Sequence, residues 1–265
     1  MLPDLTVIIP AAGKGKRMQN LFPGRPKALL PLRGKPMLLH LIAAVQESRV
    51  SNRIIVVTAP LATNVFRREL PEHPITYATQ DLPLGTGHAV LSAMPYVPPK
   101  SDTVLVLYAD QPLISSSTIG LLARAHHDHG ALVTMLTVKL RDFDDWRVAF
   151  RDWGRIVRSA DGSFSRCVEL ADSTSEERLI TEVNPGIYCF NVTWLRSELQ
   201  ALKPHNAQGE LYLTDVLAEA ANLRRLRTVP LPEAREVLGV NTPEQLLVLE
   251  ATYDDLSSKH DSIRE

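Results

Sequence analysis

Short apolar runs alternate with longer stretches of helical periodicity along the first half of this chain. Leu5 to Pro10 (LTVIIP), Arg53 to Thr58 (RIIVVT), Ile75 to Ala78 and Thr103 to Tyr108 (TVLVLY) are brief, rich in Val and Ile, and bounded by turn residues or charges. That is the pattern of buried strands. Met37 to Glu47, Ala62 to Leu70, Thr86 to Met94 and Ser116 to His129 carry the spacing of helices. Alternation of the two predicts parallel pairing, with helices over both faces of the sheet. Open sheets of this kind bind ligands beyond the carboxyl ends of their strands. The loops after Pro10, Ala78 and Tyr108 are therefore the first places to look for a site.

After Gly130 the pattern changes. ALVTMLTV reads as a further strand, VAFRDWGRIVR and SFSRCVEL as antiparallel ribbons, and EVNPGIYCFN as one more strand. Helices are expected near Val192 to Leu202 and Leu213 to Ala221, with RRLRTVPL as an edge strand. The last helix begins at a capping Thr242 with Pro243 in its first turn. The polar tail SSKHDSIRE is expected to fray. The predicted fold class is α/β: a Rossmann-like, mostly parallel sheet with helices on both faces and an antiparallel elaboration in the second half. Without repeats or a low-complexity linker, 1–265 reads as a single domain, with halves at 1–130 and 131–241 and a C-terminal helix at 242–257.

Composition narrows the function classes. Hydrophobic residues make up 45% and charged residues 22% of the 265 positions, enough for a sizeable core without staples. A formal net charge of −1 supplies no global field toward nucleic acid or an anionic membrane, and neither is an expected partner. An anionic ligand must be held by a local cluster. The two cysteines, Cys167 and Cys189, are too few for a disulfide framework or zinc ribbon and read as free thiols in a reducing compartment. The first apolar run lacks a basic leader and is too short to cross a bilayer, so a cytoplasmic location is expected.

One such cluster follows the first strand. In Pro10-Ala11-Ala12-Gly13-Lys14-Gly15-Lys16-Arg17-Met18, small residues and two glycines let the backbone approach a ligand, and three cations stand within four positions. The loop matches neither a Walker A motif nor a dinucleotide fingerprint. Its alternative reading is a solvated basic turn. A second cationic element, Arg25-Pro26-Lys27, precedes ALLPLRGKPML. Pro26 stiffens the approach and the apolar run anchors Lys27, which can meet a phosphate as a point charge or stand in an ordinary exposed loop.

AAGKGKRM followed by RPKALLPLRGKPML resembles the signature of sugar-phosphate nucleotidyltransferases, a superfamily that includes cytidylyltransferases. QDLPLGTGHAV (Gln80 to Val90), LYADQPLI (Leu107 to Ile114), NAQGELYLTD (Asn206 to Asp215) and GVNTPEQL narrow the match. Together they resemble the uridyltransferase domain of bacterial bifunctional N-acetylglucosamine-1-phosphate enzymes, from Val7 to about Leu256. The resemblance implies a nucleotide-binding first half, with Ala11, Ala12 and Gly13 at the phosphates and Gln80, Gly85 and Thr86 at the pyrimidine. It implies a sugar-binding second half, with Gly154, Glu169 and Asn184 at the sugar. Asp110 and Asn241 would hold Mg²⁺, Arg17 the leaving pyrophosphate, and Lys27 the meeting point of the two substrates.

These residues also have plainer readings. Thr86 could cap the following helix, Asp110 could cap the helix after Pro112, and Glu169 could be an exposed strand carboxylate. His126 and His129 are three apart but sit near a helix C-terminus, where histidines suit the dipole. Trp146, Trp153 and Trp194 read as packing residues. The chain departs from the family pattern at Lys16, where Thr is usual, at Ala109, where Gly is usual, and at Pro185, where Thr is usual. It also carries no hexapeptide repeats after the Thr242 helix, so no acetyltransferase activity is expected.

The expected reaction joins a nucleoside monophosphate, from UTP, to a sugar 1-phosphate and releases pyrophosphate. Two rivals stand beside it: a cytidylyltransferase or other nucleotidyltransferase with a different phosphorylated acceptor, and an inactive domain that senses sugar nucleotides. The residues leave the oligomeric state open.

Overall fold

The computed structural model describes residues 4–13, 15–18, 22–204 and 206–264, and the side chains among them other than those of 16 and 257–264. In chain order the first half contains β1 (Leu5–Pro10), the short hairpin β2 (Pro31–Leu32) and β3 (Lys35–Pro36), α1 (Met37–Ser48), β4 (Ile54–Thr58), α2 (Thr63–Glu69), β5 (Ile75–Thr79), α3 (Thr86–Ala93), β6 (Thr103–Val106) and α4 (Ser116–His129). The second half adds β7 (Val133–Lys139), β8 (Arg155–Arg158), β9 (Phe164–Val168), β10 (Glu182–Val183), β11 (Tyr188–Asn191), α5 (Val192–Ala201), α6 (Asp215–Asn222), β12 (Leu226–Pro230) and α7 (Pro243–Arg264).

The main sheet runs β5-β4-β1-β6-β11-β7-β10-β8-β9, with β12 pairing β7. β5, β4, β1 and β6 are mutually parallel. β11 runs antiparallel to both β6 and β7, and β12 lies parallel to β7 as an edge. Alternate residues of β1 feed opposite sides. Val7 and Ile9 join the cluster under α1 and α4, whereas Ile8 joins the one under α3, α5 and α6. That two-sided burial is why the strands read as unbroken apolar runs rather than alternating ones.

Helix ends follow local chemistry. Ser115 caps α4 by accepting from Thr118 N, and Gly130 closes it at φ +55°. Thr242 and Gln245 form a reciprocal box at the start of α7: Gln245 N donates to Thr242 Oγ1 at 3.3 Å, and Thr242 N donates to Gln245 Oε1 at 3.2 Å.

Three expectations change in the second half. EVNPGIYCFN is two strands, not one, because Pro185 has no N–H to give a ladder and Gly186 turns at φ +81°. The ribbon is β8 with β9, while Asp145–Phe150 forms a 3₁₀ turn that stacks Trp146 and Trp153 edge-on against Phe150. α7 stays helical to Arg264, through the tail expected to fray.

Candidate active site

The loop leaving β1 is tied down where Ala11 N donates to Val57 O at 2.7 Å. Ala11, Ala12 and Gly13 then form one wall of a cavity of about 450 Å³, with Lys27, Gln80, Gly85, Thr86 and Asp110 around it. Gly15 turns at φ +53°, and a Cβ there would stand 3.2 Å from Lys27 Cβ, so the loop passes closely over the lysine stem. Lys14 and the Lys16 side chain lie outside the described residues. Arg17 is exposed in the turn Lys16–Met18 and is not among the residues lining this cavity.

Lys27 joins three distant parts of the sequence. Its Nζ donates to Asp110 Oδ2 at 2.5 Å and to Asn241 Oδ1 at 3.0 Å. Two backbone features hold Asn241 there. Val240 N donates to Asp110 O at 3.1 Å, and Asn241 N donates to Gln245 Oε1 at 2.6 Å. The box that starts α7 thus also aims Asn241. Asp110 does not cap the next helix, since α4 begins at Ser116 and Ser115 caps it.

Gln80 follows β5, anchored by its N–H to Thr58 O at 2.9 Å. Its Nε2 donates to Gly85 O at 3.0 Å and to His88 Nδ1 at 3.1 Å. Both amide donors are committed, and the carbonyl oxygen is the group left for a ligand. Thr86 does not cap α3, whose N-cap position is Gly85. Its Oγ1 accepts instead from Leu213 N at 3.0 Å. Gly87 N donates to Leu211 O at 2.8 Å and Leu211 N donates to Leu84 O at 2.7 Å. This clamps NAQGELYLTD onto the loop that follows β5, and α6 begins at Asp215. Within that motif Asn206 folds back on Glu210, with Nδ2 donating to Glu210 O at 2.6 Å.

A second cavity, about 240 Å³, continues from Asp110 toward Gly154, Glu169, Asn184, Pro185 and Asn241. A Cβ on Gly154 would stand 3.0 Å from Cys167 Sγ and 3.3 Å from Glu169 Oε2, so a larger residue there would press Cys167 and Glu169 aside by a few tenths of an ångström. Burial pushes the Glu169 carboxyl pKa up; the Thr214 hydroxyl at 3.3 Å opposes the shift, and Asp172 and Asp215 add to it. Glu169 is therefore not an ordinary exposed strand carboxylate. Asn184 closes an Asx turn, accepting from Gly186 N at 2.9 Å while its Nδ2 donates to Tyr188 Oη at 2.6 Å.

The structure brings together Ala11, Ala12, Gly13, Lys27, Gln80, Gly85, Thr86, Gly154, Glu169, Asn184 and Asn241 around Asp110, and leaves Arg17 outside this set. Among the lining residues that the sequence reading did not single out are Tyr108, Gln111, Asp152 and Glu210. The apolar run predicts strand through Tyr108, but β6 ends at Val106 and Tyr108 lines both cavities. Gly186 makes room for it, since a Cβ there would fall 2.5 Å from Tyr108 Cε2. Burial pushes the Tyr108 hydroxyl pKa up, with the Thr86 hydroxyl bond opposing. His126 is buried and bonded to Thr134 Oγ1, and His129 meets Arg227, so the pair does not converge on a common point.

A family profile described as MobA-like NTP transferase domain matches residues 7–223. The chain belongs to that family. It is 38% identical over 253 residues to the bifunctional protein GlmU of Heliobacterium modesticaldum, covering 94% of this chain and 52% of that protein. It is 41% identical over 250 residues to GlmU of Azoarcus sp., again covering 94% and 52%. The chain thus spans about half the length of the curated relatives it matches. A crystal structure from Bacillus anthracis, provisionally assigned as a glucose-1-phosphate thymidylyltransferase and holding sucrose, superposes with a TM-score of 0.72 at 20% identity. It covers 95% of this chain and 96% of its own, and shows the shared fold. Among the described residues no helix is long and apolar enough to cross a membrane.

Proposed function

We propose that this NTP transferase domain joins uridine monophosphate from UTP to a sugar 1-phosphate and releases pyrophosphate. One observation carries the reading: Lys27 Nζ, Asp110 Oδ2 and Asn241 Oδ1 meet where the Ala11–Gly13 cavity and the Glu169 cavity share Asp110 in their walls. In this reading 1–130 is the nucleotide half, 131–241 the acceptor half, and 242–257 the helix that aims Asn241.

An oxygen of the acceptor phosphate attacks the α-phosphorus, the bond to the bridging oxygen of the β-phosphate breaks, and pyrophosphate leaves. The attacking group is already anionic, so no general base is needed, and the work falls on positioning and charge. Backbone amides of Ala11 to Gly13 would cradle the phosphates. Lys27 would meet charge at the junction, and Arg17 would hold the leaving group. Gln80 would favour uracil: its Nε2 is committed to Gly85 O and His88 Nδ1, and its carbonyl oxygen would accept from the N3–H that uracil has and cytosine lacks. Glu169 would take sugar hydroxyls and Asn184 would brace the acceptor wall.

The donor set fits Mg²⁺. Asp110 and Asn241 offer two hard oxygens at one point, and among the described residues no group of three or more His, Cys, Asp or Glu side chains converges elsewhere. Magnesium commonly uses one or two protein oxygens plus substrate phosphates and water. When bound it would offset negative charge on the reacting phosphates.

The test is pyrophosphate release across four nucleoside triphosphates and a panel of sugar 1-phosphates. UTP with a hexose or N-acetylhexosamine 1-phosphate should lead. Asp110→Ala, or EDTA on the wild type, should abolish turnover while the circular dichroism spectrum persists. A clear preference for CTP moves the assignment to a cytidylyltransferase, and binding of a UDP-sugar without turnover moves it to a sensor.

A further inference from the structure

Lys27 Nζ and a divalent cation cannot both occupy the point between Asp110 Oδ2 and Asn241 Oδ1. The ammonium is within hydrogen-bond distance of both oxygens, 2.5 and 3.0 Å. A magnesium ion on the same two atoms would lie about 2.0–2.1 Å from each. It would then stand against Nζ, cation on cation. The pair is only partly open to water, with 17% and 23% side-chain exposure, so screening is incomplete. One carboxylate offsets a single positive charge, against three from the ammonium and the dication together.

We infer that Lys27 acts as a gate on metal entry: it holds the Asp110–Asn241 oxygens until triphosphate charge draws its ammonium away. The inference rests on the proposed metal-binding reading of Asp110 and Asn241. Its physical basis is charge balance together with reach. A triphosphate brings enough negative charge to hold both cations. Lysine's flexible four-carbon stem can swing its ammonium from a carboxylate to a phosphate without moving the backbone. The backbone is fixed: Lys27 opens the 3₁₀ turn Lys27–Leu29, whose Ala28 and Leu29 are buried, and Gly15 crosses directly over the stem. Lys27 and Asp110 line the same cavity as Ala11 to Gly13, so the phosphates would arrive beside the ammonium. The ion would therefore enter with the nucleotide rather than before it. The same lysine would serve twice, first as the counter-charge that keeps Asp110 and Asn241 converged, then as a phosphate ligand.

The test is Mn²⁺ binding to the full chain without nucleotide, followed by electron paramagnetic resonance of free ion. Wild type should bind weakly. Lys27→Met, which keeps the stem and removes the charge, should bind at least about tenfold more tightly. Lys27→Arg, which keeps a positive charge, should stay weak. Thermal melts of each variant check that the fold is retained, and a melted Lys27→Met is replaced by Lys27→Gln. Equal Mn²⁺ affinity in wild type and the folded neutral variant overturns the gate. Tighter binding that survives a further Asp110→Asn change places the ion elsewhere and overturns the metal reading instead.

Discussion

A Cβ placed on Gly85 would stand 2.6 Å from the carbonyl oxygen of Leu211. Gly85 also sits at φ +110° and ψ 177°, a conformation open almost only to glycine. Two requirements therefore meet at one residue: a backbone shape and a close approach between the loop after β5 and NAQGELYLTD. Gly85→Ala should destabilise the fold by about 3 kcal/mol or more, from strain plus displaced backbone. It should also weaken nucleotide binding, because Gly85 O no longer orients Gln80. Urea denaturation and nucleotide titration check both effects; a variant as stable as wild type contradicts the clamp.

Arg17 and Lys27 should separate under mutation. Lys27→Ala removes a charge at the junction and should lower kcat by about 10²-fold, with a smaller change in nucleotide affinity. Arg17→Ala should also cost more in kcat than in affinity, by about tenfold, if the exposed side chain swings onto the leaving pyrophosphate. Steady-state kinetics with varied nucleotide decide each case. Unchanged turnover for Arg17→Ala assigns it to a solvated basic turn.

Pro185 is expected to shape acceptor choice, since it lines the Glu169 cavity. Its carbonyl accepts from Gln111 Nε2 at 2.8 Å, a bond that a substitution at the side chain leaves intact. The ring supplies neither hydroxyl nor N–H to the wall of the Glu169 cavity. Pro185→Thr should raise kcat/KM for N-acetylglucosamine 1-phosphate by about fivefold or more, the value of one regained polar contact. Identical kcat/KM in the two forms removes Pro185 from the specificity argument.

His126 predicts an acid-side loss of stability away from the site. Burial lowers its pKa from 6.5 to about 4, Asp102 opposes, and His127 adds to the shift. The unfolded chain takes the proton near pH 6.5 while the folded one resists it to about pH 4. Its stabilising contribution is thus complete above pH 6.5 and lost as pH falls through that window, by about 3 kcal/mol in all. His126→Gln should flatten the pH dependence of the denaturation midpoint between those limits; an unchanged slope refutes the assignment.

Period and composition alone carried most of the first half of the fold. β1, β4, β5, β6 and the helices between them fall within a few residues of the sequence reading, because strands buried on both faces must be apolar throughout. The motif resemblance named many of the residues that line the two cavities, but not Tyr108, Gln111, Asp152 or Glu210, and it added Arg17, which lines neither. Tertiary structure decided their partners. Nothing local to Lys27 says that it will meet Asp110, 83 positions away, and Asn241, 214 away. Sequence spacing also could not show that Thr86 would bond Leu213 rather than cap its own helix, or that Tyr108 would leave the strand and line both cavities. Local pattern reports which face of an element is apolar. Which polar groups meet depends on how the sheet order β1-β6-β11 and the start of α7 bring distant loops to one edge.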